Sequence, residues 1–258
     1  MYMQGIADRI RVELQENLND AQDAQDKGKE AVKTSVEYSI REGKTEETIV
    51  NFAHSEAIDL VVISTHGSGG LSRWNISSVT QKVINLVYLP VLVVRAYCQP
   101  ATSGARVHYG RILLPVDSSR RAEISLAAGI ALAGGEIHSG FLSEGNDRSI
   151  RRPALLKSQS QTTLVLTAVI KPPEIPIPEP YPIEIEQLSS QLMDVSRVAV
   201  TSYLNKMKVR LPVECESRVL ENTNVSSAIQ ELADQEEDID LVVLCAHGYR
   251  AVRLAVWK

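Results

Sequence analysis

The chain has 258 residues, 44% hydrophobic and 23% charged, with a formal net charge of −5. That is the composition of a globular chain able to bury one large core or two ordinary ones, which excludes a disordered or fibrous protein. Lysines and arginines are scattered rather than clustered, which argues against nucleic acid as a partner.

In chain order, residues 1–33 read as a helix, and "VKTSVEYSIREG" (32–43) alternates like a strand and ends in a glycine turn. "TEETIVNFAHSEA" then puts Ile49, Phe52 and Ala53 on one helical face, ahead of the apolar strand "DLVVIS". After the stretch "THGSGG" comes a helix with Val79, Val83, Ile84 and Val87 at helical spacing, closed by Pro90 and the strand "VLVVR". "CQPATSGARVH" (98–108) is a linker of small residues and proline.

"RILLPVDSSRRAEISLAAGIALA" reads as a strand ending at Asp117 and a following helix. Residues 134–161 have no period and read as an irregular insert. "TTLVLTAVI" is a strand, and the proline-dense "KPPEIPIPEPYPIE" is a stiff loop leading to a helix. "VECESRVLEN" is the next strand, "NVSSAIQELADQEE" a helix with Ile229, Leu232 and Ala233 inward, and "DLVVLC" a buried strand.

"IDLVVISTHG" and "IDLVVLCAHG" are near copies, too far apart for a solenoid period. Each follows a strand and a helix, so the expected fold class is α/β: a Rossmann-like or flavodoxin-like open parallel sheet with helices on both faces, in two tandem copies. The expected domains are 1–98 and 106–258, with Leu60–Ile63 and Leu241–Leu244 as interior strands. The first copy lacks its opening strands. The second ends at Lys258 without the helix and strand that follow in the first.

The apolar runs are far short of the roughly 20 residues of a membrane span. The N-terminal stretch is too charged for a signal peptide, so a cytoplasmic protein is expected, with no membrane partner. Cys98, Cys215 and Cys245 have no CxxC spacing, and neither a disulfide framework nor a metal site is expected. Asp59 and Asp240 are expected to close the preceding helix turn rather than to bind metal.

Together, "ILLPVDSS" (112–119), the glycine turns and above all "DLVVISTHGSGGLSRWNISSVTQKVINLVYLPVLVVR" (59–95) resemble the universal stress protein family. The resemblance leaves out the insert and implies a tandem protein cut at both ends. Members of the ATP-binding branch carry Gly-x-x-Gly, nine residues, then Gly-Ser or Gly-Thr. Here Ser64 stands in the first glycine place, Gly67 matches the second, and Ser77 stands in the third before a matching Ser78. In the second copy Cys245 takes the first place and Gly248 the second, and Lys258 ends the chain where the third would fall.

Serine adds a Cβ where a phosphate loop wants close backbone approach. Beside Pro115, Asp117 resembles the family's aspartate on the nucleoside side; a helix-capping role is the alternative. His66, with His247 at the matching place, lies in the turn and has no paired nucleophile or carboxylate dyad, so no catalytic residue is assigned and no enzyme is expected. The resemblance implies ATP as the ligand, bound weakly or lost, and a homodimer formed through the strand at 90–95, or another protein partner. The alternative is an ATP-binding switch with a composite or partner-completed site.

Overall fold

The structure, a computed structural model, describes residues 4–12, 35–65, 77–94, 109–120, 122–134, 162–176, 180–245 and 254–257. The helices are α1 (4–12), α2 (Thr45–Ser55), α3 (Ser78–Leu86), α4 (Ile124–Leu132), α5 (Ile183–Arg210) and α6 (Val225–Gln235). The strands are β1 (Val61–Ser64), β2 (Val91–Val94), β3 (Arg111–Pro115), β4 (Thr163–Ile170), β5 (Cys215–Glu221), β6 (Leu241–Cys245) and β7 (Leu254–Trp257).

The strands form one seven-stranded sheet in the order β1-β2-β7-β6-β3-β4-β5. Neighbours are parallel except β6 and β7, which run antiparallel. The central strands are apolar on both faces because helices cover both. On one face Ile112, Leu114, Leu164, Leu166, Leu241 and Val243 pack with Leu126 and Ile130 of α4 and Leu204 and Met207 of α5. On the other, Leu113, Val165 and Val242 pack against Leu232 of α6. Over β1 and β2 one face is closed by α2 and α3, with Ala53, Val83 and Val87 against Val91 and Val93. The opposite face leaves Leu60, Val62 and Val94 exposed.

Several expectations are corrected. Val61–Ser64 is an edge strand, bonded to β2 alone among the described residues, whereas Leu241–Cys245 is interior as expected. No strand forms within 35–43: this stretch is coil, with the Val36 carbonyl accepting from the Arg11 guanidinium (2.6 and 3.1 Å) and Arg41 lying 5.1 Å over the Phe52 ring. Its alternation offers Tyr38 and Ile40 to a sheet face that no described neighbour supplies, and both are exposed. The second half does carry a strand after Cys245, namely β7, which runs against β6 and covers its edge. β2 is bonded on both sides, to β1 and β7, so the strand at 90–95 has no free edge for pairing with a second copy. The linker 98–108 and the insert 134–161, apart from Gly134, lie outside the described residues.

Candidate functional site

The chain leaves β3 through α4 to β4 on one side, while α6 delivers β6 to the other side across the opposite face. The crevice beyond the C-terminal ends of β3 and β6 is therefore the topological switch point, where open α/β sheets take their ligands. Pro115 ends β3 and Cys245 ends β6, in a register that pairs Leu113 with Val242.

Asp117 stands exposed at this mouth. Its Oδ1 accepts the backbone N–H of Ser119 at 2.9 Å, and the Ser119 hydroxyl accepts from Ala122 N at 3.1 Å. Asp117 thus makes an Asx turn, and Ser119 carries the cap on the approach to α4. Ser118 between them has φ +64°, a left-handed conformation that costs a non-glycine residue about 1–2 kcal/mol. Strain of this kind concentrates at functional turns.

Two residues absent from the sequence reading join the mouth. Tyr203, from α5, donates its hydroxyl to Glu123 Oε1 at 3.2 Å. The phenol's pKa is driven well up, first by burial and then by the carboxylates of Glu123 and Asp117. The phenol therefore stays a neutral donor throughout the physiological range. No local pattern could have found it, because α5 lies far along the chain from Asp117.

The residues singled out in the first half come together elsewhere. Ser77 is the N-cap of α3: its hydroxyl accepts from Thr80 N at 3.1 Å and lies 2.9 Å from Thr80 Oγ1. Thr80, buried, donates its hydroxyl to the Ser64 carbonyl at 2.9 Å, and Ser77 N donates to Thr65 O at 2.8 Å. This clasp closes the base of the loop between β1 and α3, with Ser78 exposed as the first residue of the helix. Thr80 was missed in the sequence reading although Ser77 and Thr80 have the spacing of a side-chain cap. Four strand spacings, about 19 Å at ~4.8 Å each, separate β1 from β3, so the serine pair and Asp117 do not share a crevice. His66, Gly67, His247 and Gly248 lie outside the described residues.

Among the described residues no group of three candidate metal ligands gathers. Asp240 Oδ2 accepts from Gly110 N (2.7 Å) and Arg111 N (3.3 Å), clamping the start of β6 to that of β3; Asp59 is exposed. The Cys215 thiol is pushed up to about 11, mainly by burial, which makes it a poor nucleophile. No described helix is long and apolar enough to cross a membrane.

Two solved structures similar to the chain are universal stress protein UspA from Lactobacillus plantarum and a protein of the universal stress protein family from Burkholderia pseudomallei. The first is 18% identical, covering 56% of this chain and 81% of its own, with a TM-score of 0.40. The second is 20% identical, covering 57% and 95%, with a TM-score of 0.37. Likenesses of that size carry no argument about function. No curated protein matches the chain. The sequence model of the universal stress protein family matches residues 2–95, the stretch that holds β1, α3 and β2.

Proposed function

We propose that the chain is a non-catalytic, cytoplasmic stress-response protein built from two stress-protein-like units, which binds adenine nucleotide weakly and acts by association. The tandem reading is supported by the order β6-β3-β4-β5 in the second half and by the shared Ile-Asp-Leu-Val-Val segment. Weak binding is carried by one observation: Ser64 at the end of β1, with Ser77 capping α3, and Asp117 beyond the end of β3 lie at strands about 19 Å apart. Each crevice would then grip only part of a nucleotide.

Calorimetric titration with ATP tests the reading. A dissociation constant of tens of micromolar or weaker, about 6 kcal/mol or less, is expected. Asp117→Ala should weaken it further. Changing Ser64 and Ser77 together to glycine should give no tenfold gain. Submicromolar binding, or nucleotide retained through purification, would overturn the proposal in favour of an ATP-binding switch.

A further inference from the structure

Between β4 and α5 the chain runs Lys-Pro-Pro-Glu-Ile-Pro from Lys171 to Pro176, with further prolines at Pro178, Pro180 and Pro182. Each ring fixes its own φ near −65° and pushes the residue before it into extended or polyproline II backbone. Between Lys171 and Pro176, Glu174 alone escapes both constraints. The structure agrees: residues 171–175 form neither helix nor strand, and Pro182, just before α5, has φ −54° and ψ 144°, within the polyproline II region. Among the described residues, none of 171–176 makes a hydrogen bond, ion pair or ring contact, which is the fully solvated backbone that this conformation keeps.

Three residues make one turn of such a helix, so Pro172 and Ile175 share one edge, Pro173 and Pro176 the next, and Lys171 and Glu174 the third. Two neighbouring apolar edges beside a charged one are what a groove for Pro-x-x-Pro segments reads. Pro172, Glu174 and Pro176 are exposed and Pro173 and Ile175 half-buried, so the stretch lies on the surface rather than in the core. It is also longer than its connection needs. Strand and helix of an α/β unit are joined by about 2–6 residues, whereas everything from Lys171 to Pro182 lies between β4 and α5.

We propose that Lys171–Pro176 is a docking segment for a polyproline-reading domain of another protein, whose groove is lined by aromatic side chains and rimmed by basic ones. The aromatic lining follows from the two apolar edges, and the basic rim from Glu174, Glu184 and Glu186, all exposed on or just after the stretch. Locked torsions leave little entropy to lose on docking. β4 runs from Thr167, the register partner of Pro115, on to Ile170, about 10 Å further at ~3.3 Å per residue. The segment therefore leaves the sheet at the same end as Asp117, pinned where Asn222 N donates to Ile170 O (3.1 Å) and Ile185 N to Pro182 O (3.0 Å). This deepens the association half of the proposed function, on which it rests, by naming the partner's chemistry.

The test is titration of the full chain into isotope-labelled SH3, WW and EVH1 domains, read from the domain's NMR shifts, with circular dichroism confirming that each variant of the chain folds. At least one domain should shift at the aromatic residues of its groove. Pro173→Ala with Pro176→Ala should weaken that binding about tenfold or more. Glu174→Lys should weaken it about threefold, a difference that fades as salt is raised. A panel in which no domain shifts would overturn the inference, and so would groove binding unmoved by the double proline change. Neither result bears on the nucleotide half of the proposed function, which the ATP titration reads separately. A self-association seen by sedimentation velocity would then leave the association half standing without this segment.

Discussion

Ile58–Val62 and Ile239–Val243 spell the same five residues, Ile-Asp-Leu-Val-Val, and the fold treats them oppositely. Leu60 is 46% exposed and Leu241 2%; Val62 is 59% exposed and Val243 0%. Both segments follow a helix that covers one sheet face. The second also has β3 on one edge, β7 on the other and α4 over its far face, whereas among the described residues the first has β2 alone and nothing over its far face. A run of β-branched and aliphatic residues states that a strand suits a pleated apolar surface. How much of that surface is buried is decided by neighbours that the run does not encode.

The widest expected gap between the copies lies in this face. Leu241→Ala should cost about 2–5 kcal/mol as a truncation in a closed core, and Leu60→Ala well under that. Urea unfolding midpoints of the two variants measure it, and equal costs would mean that the face over β1 is covered in solution. Next comes the aspartate pair. Asp240→Ala strands two backbone donors and should cost about 1–3 kcal/mol, while Asp59→Ala should fall within about 0.5 kcal/mol of the parent.

A smaller difference is set by pH. The Cys215 thiol is raised in the folded state from an ordinary 9.0 to about 11, first by burial, so folding favours its protonated form. Its contribution is complete below about pH 9 and lost as pH rises toward 11. The thiol is partly exposed, which discounts the size. Stability should decline over that interval, and Cys215→Ala should flatten the decline. The same window should bring the onset of alkylation at this thiol.

The smallest effect belongs to the turn before β1. Ile58 N donates to Ala53 O and Ala57 N to His54 O, a helix end that places Ala57 at φ +51°, where glycine is at ease. Ala57→Gly should stabilise the protein by up to about 1 kcal/mol, read from the thermal midpoint. No gain would mean that the turn relaxes at no cost.

The strand-helix-strand units of the second half were legible because each apolar run sits in a complete neighbourhood. The stretch 32–43 was misread as a strand for the converse reason: alternation is present, but no described strand completes a ladder with it. β7 was unreadable because four residues are too short for a period to declare itself. In the candidate site, Asp117 and Cys245 could be picked from their places at strand ends. Glu123 and Tyr203 could not, since what unites them with Asp117 is the packing of α5 against the central strands.

β7 has a further consequence for the order of events during synthesis. It is the only described strand that joins β2 to β6, and it lies C-terminal to every other element of the sheet. As the chain emerges from the ribosome, β1 and β2 can meet early, and β3 to β6 can meet later. The two groups cannot be laced into one sheet until Leu254–Trp257 has been made. Through that interval β2 and β6 each carry an unsatisfied edge, and two nascent chains on neighbouring ribosomes would present matching ones. Slow translation of the codons for Leu254–Trp257 would lengthen this exposure, and a chaperone holding β2 would shorten its effect.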